Sequence, residues 1–175
     1  MIRKAVPFDL DAVEAIYLRI HDAEEAGHLT TGWLRGIYPV RQTAANALAR
    51  GDLFVLEEGG TVVAAAIINQ IQVPEYINCP WAHPAPDDQV MVLHTLTVDP
   101  LAGGRGYGTA FVAFYEQYAR DRGCPYLRMD TNAKNQIARR LYAKLGYTEP
   151  GIVPCVFNGI PNVQLVCLEK KLEEQ

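Results

Sequence analysis

A cluster of glycines lies between a predicted buried strand and a predicted helix near the middle of the chain. The strand ends in Leu96, Thr97 and Val98, and the cluster reads Gly103, Gly104, Arg105, Gly106, Tyr107, Gly108 and Thr109. Backbone amides at the start of a helix lie at the positive end of its dipole and can bind a pyrophosphate. Glycine suits such a site because a Cβ would keep the phosphate away from the backbone. The spacing predicts a phosphate site, with an ordinary glycine-rich turn as the alternative.

Two well-known phosphate loops do not fit this spacing. A P-loop has Gly-Lys and then Ser or Thr at the helix start, whereas residues 106–109 read Gly-Tyr-Gly-Thr without a lysine. A dinucleotide-binding fingerprint that begins at Gly106 needs a small residue where Phe111 stands. One that begins at Gly104 puts Thr109 at its last glycine position. A nucleotide-binding protein of either kind is therefore disfavoured.

Two segments match a pair of motifs in both order and spacing. Gly106 and Gly108 match the small positions of [QR]-x-x-G-x-[GA], although Gly103 stands where Gln or Arg is preferred. Arg105 can replace that contact with the pyrophosphate electrostatically. Residues 135–147 match N-x-x-A-x-x-L-Y-x-x-x-G-[FY] at every position, although an amphipathic core helix would also explain the apolar positions. On these motifs, residues 90 to 150 resemble the GNAT superfamily of N-acetyltransferases.

The resemblance implies an α/β (α+β) fold with a mixed, mostly antiparallel central sheet, splayed at its middle and flanked by helices. A single domain would span residues 1–175. The gap would admit the pantetheine arm of acetyl-CoA beside Leu96, Thr97 and Val98, and the cluster from Gly103 to Thr109 would hold its pyrophosphate. The implied activity is transfer of an acetyl group from acetyl-CoA to a primary amine by direct attack on the thioester. The alternative is a catalytically inactive acyl-CoA-binding module.

The resemblance also implies chemical roles for two side chains. Tyr142 stands where many members use a phenol as the general acid that protonates the departing thiolate, close to the cofactor. His94 is the leading candidate for the general base, because imidazole titrates near neutral pH and its strand is similar to that of arylalkylamine N-acetyltransferases. Glu75, Asp88 or a water molecule are the other candidates for the base, and Glu75 and Asp88 are also candidates for anchoring a cationic amine. Core packing is the alternative role for Tyr142 and His94.

Other polar and aromatic residues are candidates for the periphery of the site. Asn135 would contact the cofactor region and would also cap its helix, and residues 130–132 could support either role. Trp33, Tyr76 and Trp81 are candidates for an apolar acceptor pocket. The identity of the amine acceptor does not follow from these residues.

The elements that must position these residues follow from hydrophobic periodicity and turn signals. Strands are predicted at residues 2–6, 53–57, 61–68, 90–98, 126–129, 153–157 and 163–168. Helices are predicted at residues 9–26, with Asp9 as the N-cap, and at 39–50, 106–122 and 135–145. Residues 72–88 are predicted to form a long loop, and such loops in compact domains often carry function.

Composition limits the classes of partner. The 175 residues include 16 Lys and Arg against 20 Asp and Glu, which gives a net charge of -4. No basic stripe follows any predicted element, so nucleic acid is not expected as a partner. The acidic balance favours a cationic substrate, and the expected acceptor is a small-molecule or peptide amine.

Cysteine usage and hydropathy indicate the expected location. Cys79, Cys124, Cys155 and Cys167 lie far apart without zinc-ligand spacing, which predicts reduced thiols, no metal site and a cytoplasmic protein. No apolar run has the length of a signal peptide or a membrane span, so no membrane partner is expected. A homodimer remains open.

Overall fold

A seven-stranded sheet forms the centre of the computed structural model, which describes residues 1–173. Its strands are β1 (Ile2–Lys4), β2 (Leu53–Glu58), β3 (Thr61–Asn69), β4 (Val90–Val98), β5 (Tyr126–Asn132), β6 (Thr148–Phe157) and β7 (Ile160–Lys171). They lie in the order β1-β2-β3-β4-β5-β7-β6. Of the neighbouring pairs in the described residues, β4 and β5 run parallel and the others antiparallel. The predicted mixed, mostly antiparallel sheet is confirmed.

Helices cover both faces of this sheet, as predicted. They are α1 (Leu10–Glu25), α2 (Arg41–Arg50), α3 (Tyr107–Arg120) and α4 (Gln136–Lys144). Strand β2 contributes Leu53 and Val55 to the core under α1 and α2, and Phe54 and Leu56 to the core under α3 and α4. This division follows because successive strand residues point to opposite faces. No helix in the described part of the chain is both long and apolar enough to cross a membrane.

The sheet opens between its two central strands. Strand β4 pairs with β5 from Val90 to Leu93, and no further pairs follow although both strands continue. On the other side of β4, Thr97 pairs with Ala65 and His94 with Ile67, so β4 carries one extra residue, which is a β-bulge. Thr95 within this bulge has a φ of +50°. The predicted splay is therefore confirmed, and it begins directly after Leu93.

The long loop between β3 and β4 packs against the sheet near β6 and β7. It contains short 3₁₀ turns at Pro74–Asn78 and Asp87–Gln89. Tyr76 and Cys79 from this loop join a core cluster with residues of β4, β6 and β7. Glu169 of β7 fixes the loop by accepting a hydrogen bond from the backbone N–H of Ala82 at 2.6 Å. The loop is therefore anchored to the sheet.

The sequence-based boundaries differ from the structure in two informative places. Strand β5 extends three residues beyond the predicted end at Met129, so Asp130 is a strand residue. Asp9 precedes α1 but makes no side-chain cap hydrogen bond. Its carboxylate instead pairs with Arg3 at 2.7 Å and accepts from the N–H of Val6 at 2.8 Å. The predicted capping role of the Asp9 side chain is therefore wrong.

Candidate active site

A cavity of about 280 Å³ occupies the opening between β4 and β5. Its walls come from β4, β5, the starts of α3 and α4, the segment between α1 and α2, and the β6–β7 turn. The cavity includes six of the residues expected at the site: His94, Leu96, Thr97, Val98, Gly108 and Tyr142, with Asn135 at its edge as a seventh. Residues that are remote in sequence therefore border one space.

One wall of the cavity is the free edge of β4. Its backbone from His94 to Val98 has no ladder partner on the β5 side, because pairing with β5 ends at Leu93. Leu96 and Val98 are partly buried. The Thr97 hydroxyl donates to the carbonyl of Ala65 at 3.1 Å, so this side chain is used within the sheet. This edge can therefore hydrogen-bond a ligand through its main chain, as an added strand would.

The glycine cluster forms the N-terminus of α3. Gly106 is the N-cap and has a φ of +77°, a conformation that favours glycine. A Cβ on Gly106 would meet no atom within 4 Å, so the space before the helix is open. The first helical bond of the cluster runs from the N–H of Ala110 to the carbonyl of Gly106. The N–H groups of residues 107–109 thus have the positions that helix geometry leaves free for an anion.

The members of the cluster differ in how their side chains are placed. Gly103, Gly104 and Arg105 are exposed and lie outside the cavity lining, as does the exposed Thr109. The ring of Tyr107 is buried in the core under α3, so its backbone N–H is the part available to a ligand. These features fit a pyrophosphate at the cavity mouth that is bound mainly by backbone groups.

Tyr142 of α4 lines the cavity. Its ring is buried against the core under α3 and α4, and within residues 1–173 the hydroxyl has no hydrogen-bond partner. Burial, and then the nearby Asp130, raise the pKa of Tyr142, so the phenol keeps its proton. Asn135 caps α4 by accepting from the N–H of Ala138 at 3.2 Å, which is the capping role expected for it. A protonated phenol and the free edge of β4 therefore belong to the lining of the same cavity.

His94 is the first residue of β4 beyond the paired region, and a hydrogen-bond chain holds its ring. Arg50 pairs with Asp52 at 2.9 Å, and Asp52 accepts from the side-chain N–H of Asn69 at 2.8 Å. The Oδ1 atom of Asn69 accepts from the backbone N–H of Ile71 at 2.9 Å and contacts His94 Nε2 at 2.8 Å. Nε2 must therefore donate, which leaves Nδ1 of the neutral ring as the nitrogen able to accept a proton.

The ionisation of His94 differs from the sequence-based expectation. Burial lowers its pKa to about 4, although the Asp52 carboxylate acts in the opposite direction. The expectation that this imidazole titrates near neutral pH is therefore wrong. The ring is neutral at pH 7, which is the form a base needs, but its affinity for a proton is reduced.

The two other candidate bases are outside the cavity lining, although the charge of Glu75 acts on Asp130. Glu75 is in the 3₁₀ turn of the long loop, and Asp88 is exposed near the start of β4. Neither lines the cavity between β4 and β5. The structure thus gives no support to Glu75 or Asp88 as a base that contacts the reacting groups.

Asp130 is the carboxylate that does line the cavity, and its role was not identified from the sequence. The last pair between β4 and β5 joins Leu93 and Met129. Asp130 is the next residue on β5, and His94 is the next residue on β4. Burial and, to a smaller extent, the negative charge of Glu75 raise the pKa of Asp130 to about 6, while a hydrogen bond from Tyr76 lowers it. The alternation of Leu127 and Met129 in the core with Arg128 and Asp130 on the other face was the available signal.

Aromatic residues form the wall opposite α4. Trp33 lines the cavity as expected, and Tyr38, which was not predicted, lies edge-on to it with ring centroids 6.0 Å apart. The Tyr38 hydroxyl is hydrogen-bonded to the Thr95 hydroxyl in the bulge of β4. Tyr76 is buried behind Asp130, and Trp81 stacks on Arg128. Tyr76 and Trp81 lie outside the cavity lining, so their predicted place in the acceptor pocket is wrong.

The segment that carries Trp33 is held by one carboxylate. Glu24 accepts hydrogen bonds from the backbone N–H and the hydroxyl of Thr31 at 2.7 and 2.8 Å, and from the N–H of Gly32 at 2.9 Å. A Cβ at Gly32 would lie 2.3 Å from the side-chain nitrogen of Asn132 on β5. The aromatic wall is therefore packed tightly against the end of β5.

Within the described residues, no group of His, Cys, Asp and Glu side chains has an arrangement that could hold a metal ion.

A family model and a curated protein that match this chain both belong to acetyltransferases. Residues 15–147 match the model of the acetyltransferase (GNAT) family. An uncharacterized N-acetyltransferase of Methanocaldococcus jannaschii is 32% identical over 76 residues, which are 43% of this chain and 34% of that protein. This chain therefore aligns with about a third of the length of that curated relative.

Solved structures share the fold along nearly the whole chain. A GNAT-family acetyltransferase from Streptococcus agalactiae has a TM-score of 0.81 at 23% identity, with 99% of this chain and 96% of that chain covered. A Salmonella typhimurium protein, solved with its cofactor acetyl-CoA, has a TM-score of 0.69 at 22% identity, with 100% and 95% covered. At such identities the likeness concerns the fold.

Proposed function

Because the chain belongs to the acetyltransferase (GNAT) family, we propose that it transfers an acetyl group from acetyl-CoA to a primary amine by direct attack on the thioester. One observation carries this proposal. The free edge of β4, Gly108 in the first turn of α3 and Tyr142 of α4 border the same cavity. This arrangement combines a main-chain edge for an extended arm, an anion site for phosphates and a proton donor.

The chain's own groups account for holding the donor. The N–H groups at the start of α3, with Arg105 nearby, would bind the pyrophosphate. The unpaired backbone of residues 96–98 would bind the amide groups of the pantetheine arm. Asn135 caps the helix that carries Tyr142 and thereby fixes the position of the phenol. When bound, acetyl-CoA supplies the activated acyl group.

Proton transfers then follow from the two candidate catalytic residues. The amine nitrogen forms a bond to the acyl carbon while the carbon–sulfur bond breaks. His94 Nδ1, directly or through water, takes one proton from the nitrogen and passes it to solvent. Tyr142 gives its proton to the departing sulfur and is reprotonated with the second proton that the nitrogen loses. The products are the amide, the free thiol of coenzyme A and one released proton.

Acetyl-CoA is expected to raise the melting temperature of the protein, because a ligand that binds only the native state stabilises it by mass action. Gly106→Leu is expected to remove this shift, because its side chain would occupy the open space before α3. Thermal denaturation with and without a large excess of acetyl-CoA measures both effects.

Gly123→Leu is the matched control for this experiment. Gly123 also has a positive φ, of +66°, and open space around its Cβ position, but it lies at the other end of α3. Both variants carry a similar backbone cost of about 1–2 kcal/mol, so their melting temperatures without ligand should fall alike. The absence of a shift and of calorimetric heat with the unmodified protein would contradict the proposed function. Binding without thiol release for any amine would instead indicate the acyl-CoA-binding module.

A further inference from the structure

The side chains that line the cavity carry a negative charge and no positive charge at pH 7. Among its lining residues within the described chain, Asp130 is the carboxylate, and neither lysine nor arginine is present. His94, the other side chain that could carry a charge there at low pH, is neutral at pH 7. A ligand with one positive group is therefore complementary to the cavity, whereas a negative group on the ligand would find no charged partner.

Asp130 has one oxygen to offer to such a ligand. The Tyr76 hydroxyl donates to Oδ2 at 2.6 Å, while Oδ1 receives no hydrogen bond from residues 1–173. Oδ1 is not among the fully buried unpaired atoms, and Asp130 lines the cavity, so this oxygen faces the open space. A pKa of about 6 keeps the carboxylate ionised at pH 8. A partly buried carboxylate oxygen without a donor is favourably satisfied by an N–H group of a ligand.

The surroundings of Asp130 are apolar and small. Trp33, Tyr38, Val73 and Phe157 line the same cavity and pack against one core cluster, which also contains Tyr76. The whole cavity holds about 280 Å³, which the acceptor must share with the acyl end of the donor. This volume is at the lower limit of ordinary ligand pockets. Aromatic walls around a single carboxylate suit a cation with an apolar body.

We propose that the acceptor is a small apolar monoamine, whose ammonium group donates to Asp130 Oδ1 and whose aryl or alkyl body packs against Trp33, Tyr38 and Phe157. This inference rests on the proposed function, because it assigns the acceptor side of the same cavity. Asp130 is then the specificity-determining residue of the reaction. A free amino acid would place its carboxylate in a cavity lined by no cationic side chain, and a polyamine would bring a second ammonium group into a cavity whose lining offers one carboxylate.

Four amines that differ in charge test this inference. They are 2-phenylethylamine, L-phenylalanine, spermidine and an alanine-initiated tripeptide, each assayed with acetyl-CoA at pH 8 by thiol release. 2-Phenylethylamine and L-phenylalanine form the sharpest pair, because they differ only by a carboxylate. The kcat/KM for 2-phenylethylamine is expected to be higher on the order of 10²-fold, since an unpaired like charge beside Asp130 opposes binding.

Binding without turnover separates anchoring from chemistry. Calorimetric titration of 2-phenylethylamine into the protein saturated with coenzyme A, which lacks an acyl group, reports amine affinity alone. Asp130→Asn is expected to weaken this affinity on the order of 10²- to 10³-fold, because it removes the charge partner and keeps the side-chain shape. Asp121→Asn is the matched control, because Asp121 is an exposed carboxylate outside the cavity lining, and it is expected to leave the affinity unchanged.

The possible outcomes separate this inference from the proposed function. If acetyl-CoA stabilises the protein but L-phenylalanine, spermidine or the peptide is acetylated as efficiently as 2-phenylethylamine, the acceptor assignment is wrong and the donor assignment stands. The acceptor assignment is equally wrong if none of the four amines binds the CoA-loaded protein, or if Asp130→Asn binds 2-phenylethylamine like the unmodified protein. Failure of acetyl-CoA to stabilise the protein would overturn the proposed function itself.

Discussion

Tyr142→Phe is expected to lower kcat by about 10²- to 10⁴-fold when chemistry limits turnover, because it removes the proton donor for the leaving thiolate. The affinity for acetyl-CoA and the melting temperature are expected to change little. The ring that packs in the core is retained, and the lost hydroxyl has no partner within residues 1–173. Steady-state and single-turnover kinetics, with calorimetry of acetyl-CoA binding, separate these quantities.

Two controls make the interpretation of Tyr142→Phe specific. Tyr118→Phe also deletes a phenol hydroxyl, but Tyr118 of α3 packs against Phe54 of β2 and does not line the cavity, so the kcat of this variant should stay unchanged. A thioester with a more acidic thiol should partly rescue Tyr142→Phe, because a stable thiolate needs less help to depart. Full activity of Tyr142→Phe with acetyl-CoA under chemistry-limited conditions would exclude an essential acid role.

His94→Gln is expected to lower kcat/KM by about 10²- to 10⁴-fold, because glutamine can still donate a hydrogen bond to Asn69 but cannot accept a proton from the amine. Acetyl-CoA binding should persist. His83→Gln is the matched control, since His83 is exposed and lies outside the cavity. Its kinetics should equal those of the unmodified protein.

The pH dependence adds a second test of the base. A His94 pKa near 4 means that this ring is already unprotonated above about pH 5, so it contributes no inflection near neutrality. An acidic limb near pH 6 in kcat/KM is instead expected from Asp130, whose protonation removes the partner of the ammonium group. This limb should persist in His94→Gln and disappear in Asp130→Asn. Kinetics of His94→Gln that match the unmodified protein would assign His94 to a structural role.

The donor side of the site could be predicted from the sequence because its signals are local. The bounds of β4 follow from one run of apolar residues, and the glycine cluster stands directly between that strand and α3. The motif of residues 135–147 places Tyr142 and the capping Asn135 within one short helix. Each of these features depends on residues that are close to one another in sequence, so hydrophobic periodicity and short motifs are sufficient to predict it.

The proposed acceptor side depends on contacts between distant residues, and Trp33 in its lining was anticipated from the sequence, but neither Tyr38 nor a charge partner at Asp130 was. Tyr76 and Asp130 are 54 residues apart, and Tyr38 and Thr95 are 57 apart. The pKa of His94 is likewise set mainly by its burial in the folded protein, where its ring contacts Asn69. The residues next to His94 in sequence do not reveal this burial. An intrinsic imidazole value could not anticipate this desolvation.

The open edge of β4 has a consequence for how the site tolerates substitution. Main-chain N–H and C=O groups are the same for almost every amino acid, so recognition of the donor arm along residues 96–98 is largely independent of side-chain identity. Proline is the exception, because it has no N–H to donate. If residues 96–98 hold the donor as proposed, their side chains can vary in sequence without loss of this contact, whereas a change at the proposed acceptor anchor Asp130 is expected to alter the class of acceptor.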